Sequence, residues 1–392
     1  LRDDFPEIFQ QIKQRVSEGR WEPIGGMWVE ADCNLTGAEA LARQFVLGRS
    51  FYIEEMDTPG APVLWLPDVF GYAWQLPQLI RQAGLQYFVT AKMSWNQYNR
   101  IPYDAFWWRG LDGSCVMTNL ITTKKPGWWG ATYSAELTPE EILATWDDLQ
   151  HKDQMSEFMV AYGHGDGGGG VTSEMLEQAK IMKAHPGLPQ VRLDTALSYL
   201  RRLEESVGQD LPVWNGELYL ELHRGTYTSQ AHNKRANRKN EFLLHNAEFL
   251  ACWADFVADY DYPHEKLEKA WKLLCLNQFH DIIPGSSISQ VYKDSETDYE
   301  EIDRLGSTVL NGALQALEDQ LPSDTDVFVI NPNSFDRSEM IEIPGEMGED
   351  EVVVSLEDAK VLPIQKTESG VLVEIPNVPA YGYRTLAFRQ GS

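Results

Sequence analysis

The sequence has little positive charge to set against its acidity. Lys and Arg number 33 among 392 residues, against 59 Asp and Glu, for a formal charge of −26. A field of that sign repels nucleic acid and anionic membrane surfaces, which excludes both as partners. Long apolar runs are missing too: no stretch approaches the ~20 residues that a membrane helix needs. The opening residues, Leu1-Arg2-Asp3-Asp4, have neither the basic nor the apolar region of a signal peptide, and no initiator Met. They read as the start of an interior segment or of a processed chain. Cysteine is scarce, with Cys33, Cys115, Cys252 and Cys275 and no CxxC pair. Reduced thiols in a cytoplasm are the simplest expectation. Repeats and low-complexity tracts are absent apart from one glycine run.

What is present is an ordinary globular composition, 43% hydrophobic and 23% charged, which excludes wholesale disorder. At roughly 150 residues per domain the length predicts two or three domains. Residues 1–215 alternate short apolar runs with helical patterns. Val63 to Leu66 reads as a buried strand, Gln75 to Ala83 as an amphipathic helix ended by Gly84, and Tyr87 to Thr90 as another strand. Phe158 to Tyr162 reads as a further strand before a glycine-rich loop, and Ser173 to Ala184 as a helix. That rhythm argues for an α/β layer with parallel strands. Residues 216–320 change texture. Phe242, Leu243, Leu250, Trp253 and Val257 recur at helical spacing, then Leu267, Trp271 and Leu274. A longer run follows with Ile288, Val291, Tyr292, Tyr299, Ile302, Leu310, Leu314 and Leu317 on one side. Three such segments predict a helical bundle. Residues 321–392 switch to short alternating runs with Asn-Pro and Gly between them, the pattern of an antiparallel β module. The predicted fold class is thus multidomain α/β + α + β: a partial, barrel-like parallel α/β catalytic domain, a three-helix bundle and the start of a β-sandwich.

Four segments carry chemistry. In WLPDVFGY (65–72), Asp68 falls just past a buried strand, where α/β enzymes place catalytic groups; on residue type alone it is more simply an Asp opening a turn after Pro67. In YGHGDGGGG (162–170), Gly163, Gly165 and Gly168 formally make GxGxxG, and Asp194 then resembles a ribose-binding acid. A nicotinamide-dinucleotide oxidoreductase is therefore a rival reading. Asp166 counts against it, since a carboxylate there would face the pyrophosphate, and so does the 26-residue gap from Gly168 to Asp194, against a usual ~20. A carboxylate on a glycine loop suits a general acid that must approach a leaving group. In NQFHDIIPG (277–285), His280 beside Asp281 pairs an imidazole with a carboxylate, as metal sites do, although a His at a helix C-terminus is also an ordinary cap. His151-Lys152-Asp153, a formal H-x-D, reads as a solvated helix face. In GELYLELHRGTYT (216–228), alternation ends in a cluster of polar and aromatic tips that looks like a substrate-lining turn.

Together these segments resemble glycoside hydrolase family 38, the zinc-dependent retaining α-mannosidases. The matches are WVEADCN (28–34), WLPDVFGYAWQLPQL (65–79), GHGDGGGG (163–170), GELYLELHRGTYTSQAHNKRANR (216–238) and NQFHDIIPGSS (277–287), in the family's order. Their detail is similar to the bacterial and cytosolic branch. The resemblance implies that Asp68 is nucleophile and zinc ligand, His280 a second zinc ligand and Asp166 the general acid/base. It implies that Asp281 contacts substrate or the ligand shell, that Phe70 stacks near the sugar, that Lys92 is the family's basic residue, and that His223 and Tyr227 line the pocket. The substrate it implies is terminal α-linked mannose on oligosaccharides or glycans.

The chain departs from the family in one respect. The family's other two zinc ligands come from an N-terminal H-x-D, which nothing before Glu30 supplies; Leu1 to Trp21 reads as a surface helix. The expectation is therefore an interior fragment, also short of C-terminal β domains, that binds zinc poorly and is largely inactive. A non-catalytic carbohydrate-binding fragment is the third reading, and a homo-oligomer is compatible with the sequence. The segment KKPGWWGATY (124–133) also departs from the family, leaving the substrate rim open.

Overall fold

The computed structural model describes residues 1–166 and 168–391. Gly167 of the glycine loop and Ser392 of the expected third domain lie outside the described residues. The chain divides into two compact units. The first holds Leu1–Glu241 and Trp271–Ile302, the second Phe242–Ala270 and Asp303–Ser392.

The first unit is built on a five-stranded mixed sheet of β1 (Val63–Trp65), β2 (Tyr87–Thr90), β3 (Ala105–Arg109), β4 (Cys115–Leu120) and β5 (Val213–Asn215), in the order β1-β2-β4-β3-β5. The pairs β1–β2, β2–β4 and β3–β5 are parallel and β3–β4 is antiparallel. All four residues of β2 are buried, as expected of a central strand covered on both faces. Alternation sorts the strand side chains into two cores. Leu64, Phe88, Phe106, Trp108 and Val116 pack on one face with Leu76 and Ile80 of α3 (Leu76–Gln82). Val63, Tyr87, Val89, Ala105 and Met117 pack on the other with Tyr199, Leu200 and Leu203 of α6 (Ala196–Val207). The remaining shorter helices are α1 (Pro6–Ser17), α2 (Ala38–Met56), α4 (Pro139–Asp148) and α5 (Ser173–Met182). α4 starts with a reciprocal cap, Thr138 accepting from Glu141 N while the Glu141 carboxylate accepts from Thr138 N. His151 lies beyond that helix, in a turn whose amides at 150 and 151 donate to Asp104, so it is not the helix face expected for it.

The strand expected over 158–162 is a second correction. The segment meets its neighbour at a single bridge, Ala135 with Tyr162. Its side chains still alternate: Phe158, Val160 and Tyr162 join an apolar cluster around Ile142 and Met182, while Met159 and Ala161 join the sheet core. The sequence shows the alternation but not the missing ladder.

Three long helices follow, α7 (Ala231–Ala258), α8 (His264–Asn277) and α9 (Ser289–Glu318). Within the second unit, α7 buries Ala247, Leu250, Ala251 and Ala254 against Leu267 of α8 and Val309, Ala313 and Leu317 of α9. Phe242 and Val257, expected on the apolar side of α7, are 61% and 46% exposed, and Ile288 lies outside α9 and is 73% exposed. The buried stripe of α7 is made largely of alanines, which a count of large apolar residues does not register. Close approach is real here: a Cβ on Gly306 would meet Leu243 at 2.8 Å.

Two antiparallel sheets complete the second unit. β6 (Val327–Asn331), β12 (Gly382–Gln390), β8 (Glu351–Ser355) and β9 (Lys360–Val361) form one, and β10 (Ile364–Lys366), β11 (Gly370–Val378) and β7 (Arg337–Pro344) the other. Val329, Ile343, Val353, Val373 and Leu386 from both sheets share one core, so the two sheets pack as a sandwich. The chain is thus mixed α/β with a helical portion and antiparallel β-sheets, the fold class that the sequence predicts.

Candidate active site

The site lies in the first unit, where loops after parallel strands converge. The chain leaves β1 through Leu66, whose amide donates to Val89 O at 3.0 Å. The next carbonyl, on Pro67, accepts from both Ala91 N at 3.1 Å and Lys92 N at 3.0 Å. That fork ties the end of β1 to the end of β2 and sets Asp68 beside Lys92. The Lys92 ammonium pairs with Asp68 Oδ1, with both side chains largely buried.

A second segment is stitched to the first by Glu30. Its carboxylate accepts from Asp68 N at 2.6 Å, and its backbone carbonyl accepts from His280 N at 3.0 Å. Nδ1 of His280 contacts the same carbonyl at 3.1 Å. With Nδ1 donating there, Nε2 faces Asp68 Oδ2 at 3.4 Å and Asp281 Oδ2 at 3.6 Å, and donates to Asp68 when the ring is protonated. The 28–34 segment is held against the helix end by Asp32 N, which donates to Gln278 O at 2.9 Å. Tyr72 and Leu218 exchange backbone hydrogen bonds, bringing in the 216–228 segment. His223 then stands edge-on to Phe70, centroids 4.8 Å apart, and Phe70 lies 5.9 Å from His280.

The electrostatics follow from burial and neighbours. Burial raises the Asp68 carboxyl, but the hydrogen bond from His280 and the charge of Lys92 outweigh it and hold the group below the usual carboxylate range. Burial lowers His280, and Asp68, Glu30 and Asp281 more than reverse that, lifting it above the ordinary imidazole value. Glu30 is pushed up to about 7, mainly by burial. His223 is lowered, by burial first and then by Lys92.

Asp166 is reached through a residue the sequence reading did not single out. His164 and Gly170 exchange backbone hydrogen bonds at 2.8 and 2.6 Å, ahead of α5. Asp166 has a positive φ of 56°. The Tyr133 hydroxyl donates to its Oδ1 at 3.0 Å. Burial, then the charges of Asp68 and Asp166, push the Tyr133 hydroxyl far above the ordinary phenol value, so it stays protonated as a donor beside both carboxylates. Tyr133 closes the segment noted only as a departure, and Glu30 stood unremarked inside WVEADCN.

Of the residues singled out from sequence, Asp68, Lys92, Phe70, His223, His280 and Asp281 come together, and Asp166 joins through Tyr133. Tyr227 is set to one side, its hydroxyl accepting from Asn34 Nδ2 at 3.2 Å. Ligand atoms of Asp68, His280 and Asp281 all lie within 4.8 Å of one another. Two carboxylate oxygens and an imidazole nitrogen fit the donor set of a metal site with three protein ligands and an open position.

Residues 1–217 match the Glycosyl hydrolases family 38 N-terminal domain, and residues 221–317 match the Alpha mannosidase middle domain. The chain is 37% identical over 345 residues to human Alpha-mannosidase 2C1, covering 88% of this chain and 32% of the relative. It is 35% identical over 343 residues to Alpha-mannosidase of Saccharomyces cerevisiae, covering 83% and 30%. It therefore spans about a third of the length of the curated relatives it matches. An alpha-mannosidase from Enterococcus faecalis V583 shares the fold, with a TM-score of 0.79 at 20% identity, over 99% of this chain and 49% of that one. The chain belongs to glycosyl hydrolases family 38.

Proposed function

We propose that the protein carrying this chain removes terminal α-linked mannose from oligosaccharides with net retention of configuration. The observation that carries the reading is Asp68 paired with Lys92 and facing His280, near a Tyr133 hydroxyl that donates to a second carboxyl, Asp166. The retaining mechanism uses two such carboxyl groups ~5 Å apart, one as nucleophile and one as acid/base. In this reading Asp68 attacks the anomeric carbon while Asp166 protonates the departing glycosidic oxygen. A glycosyl–Asp68 ester forms as that bond breaks. Asp166, now ionised, then takes a proton from water as the water attacks the same carbon and releases Asp68 and mannose.

Lys92 and His280 keep Asp68 anionic between turnovers, and Glu30 holds the Asp68 backbone and the His280 ring in place. Phe70 and His223 flank the sugar; Tyr227 is assigned to the outer pocket. Asp68, His280 and Asp281 would hold a zinc ion, which when bound supplies positive charge to grip sugar hydroxyls and favour ring distortion. The four cysteines, all free, fit a reducing cytoplasm. The division into a catalytic portion (1–215), a helical middle portion (216–320) and a β portion (321–392) belongs to the same proposal.

The test is hydrolysis of an aryl α-mannoside, with the first-formed anomer read by NMR. The expected result is α-mannose as first product, loss of turnover on chelation, and loss in Asp68→Asn. Wild-type turnover by Asp68→Asn, or β-mannose as first product, would refute the mechanism. The same assay on the 392 residues alone tests their expected inactivity.

A further inference from the structure

Residues 124–133 fold into a small hairpin beside the site. Lys124 and Ala131 form an antiparallel bridge, and Thr132 N donates to Thr123 O at 2.8 Å. The tip is anchored: the Lys124 ammonium donates to Trp129 O at 2.9 Å while lying 3.6 Å from Asp148. A Cβ on Gly130 would meet the Trp128 ring at 3.0 Å, so the glycine lets that indole lie against the backbone. Trp128 and Trp129 pack T-wise on Trp95 at 5.2 and 5.5 Å between centroids. Trp95 is itself fixed, its Nε1 donating to Ala131 O at 2.9 Å. The Lys92 ammonium sits 3.8 Å over the Trp95 ring. A continuous set of contacts thus runs from Asp68 through Lys92 and Trp95 to the tip.

The two indoles nonetheless remain 36% and 48% exposed. Adjacent large aromatics held rigid on a hairpin tip next to a reaction centre mark a recognition surface more readily than a packing need. The hairpin is also tied to the acid/base candidate. Its tip bears the indoles, and its base bears Tyr133, which donates to Asp166. Since Asp166 protonates the leaving oxygen in the reading above, the tip lies on the leaving-group side. Phe70 and His223 stand beside His280, and His223 also meets Trp95 at 6.0 Å between centroids, so the indoles border the pocket these rings line.

We propose that Trp128 and Trp129 form a subsite for the leaving-group sugar, stacking the C–H face of the ring to which the terminal mannose is attached. This rests on the mannosidase reading and narrows its substrate to oligosaccharides with a sugar ring on the leaving side. Two substrates separate the effects: an α-linked mannobiose, whose leaving group is a ring, and α-mannosyl fluoride, whose leaving group is a single atom. The proteins are the full-length protein that carries this chain, as wild type, Trp129→Phe and Trp128→Ala/Trp129→Ala. The double variant should lose about tenfold or more in kcat/KM on mannobiose, mainly through KM, and stay within about threefold of wild type on the fluoride. Trp129→Phe should keep most of the mannobiose activity. Loss equal on both substrates, or no loss on either, overturns the subsite while leaving the mannosidase reading intact. Failure of wild type to turn over either substrate overturns that reading and the subsite with it.

Discussion

Tyr133→Phe is the sharpest probe of the site, because it deletes one oxygen and leaves the ring in place. The hydroxyl donates to Asp166 Oδ1 at 3.0 Å and lies in the field of both Asp166 and Asp68. A hydrogen bond to a charged group is worth about 1.5–3 kcal/mol. At about 1.4 kcal/mol per decade, losing it in the transition state costs on the order of 10- to 100-fold in kcat. In the proposed mechanism Tyr133 holds Asp166 toward the leaving oxygen, so KM on an aryl α-mannoside should change little while kcat falls. Its hydroxyl stays protonated far above neutrality, so the deficit should be constant across the pH range of activity. The assay is steady-state hydrolysis of the mannoside from pH 5 to 9, with thermal unfolding as the control for fold. A kcat within about threefold of wild type, with an unchanged unfolding temperature, would refute the positioning argument.

Three further outcomes follow from other contacts. Lys92→Met strips Asp68 of its paired ammonium and leaves a carboxylate with little solvent access, so urea unfolding should show a loss of about 3 kcal/mol; an unchanged midpoint would mean the pair is dispensable for stability. The Glu221 carboxylate accepts from the amides of Gln97, Tyr98 and Asn99, and these contacts hold its pKa below the ordinary glutamate value. A depressed folded-state pKa stabilises above the unfolded value of ~4.3 and is lost as pH falls through the folded one. Amide exchange at 97–99, corrected for intrinsic rate, should therefore be protected at pH 7 and accelerate as pH falls below the unfolded carboxyl value of ~4.3; equal protection on both sides of that value would refute it. Gln278 is fully buried, receiving from Gln44 and donating to Asn237 and Glu241. Gln278→Leu orphans Asn237 Oδ1 and should lower unfolding stability by about 2 kcal/mol in denaturant titration, a change under about 0.5 counting against the network.

Much of the fold was legible because its signals are local. β2 occupies the four residues that the apolar run predicts, and α3 ends before Gly84, where φ is +77°. Leu267, Trp271 and Leu274 are buried as their spacing predicts. What failed was non-local. Phe158 to Tyr162 alternates like a strand, yet a ladder needs a partner strand and only one bridge forms. On α7 the packing face is chosen by where a neighbouring helix can approach closely, which favours Ala247, Ala251 and Ala254 over Phe242 and Val257.

The site divides along the same line. Asp68, His280 and Asp281 could be picked out because each sits in a short distinctive string at a strand or helix end. Glu30 and Tyr133 could not, since each earns its place through a partner 38 or 33 residues away. The surroundings of the two catalytic candidates also differ. The Asp68 carboxyl is flanked by an ammonium and an imidazole, surroundings that favour the anion. Asp166 is exposed, with a phenol as its donor. Around His280 the carboxylates of Glu30, Asp68 and Asp281 face the single ammonium of Lys92. That excess of negative charge is what lifts His280, and a divalent cation on the same donors would neutralise it more completely than one proton on an imidazole. The donor geometry and the charge balance thus favour a cation at the same place.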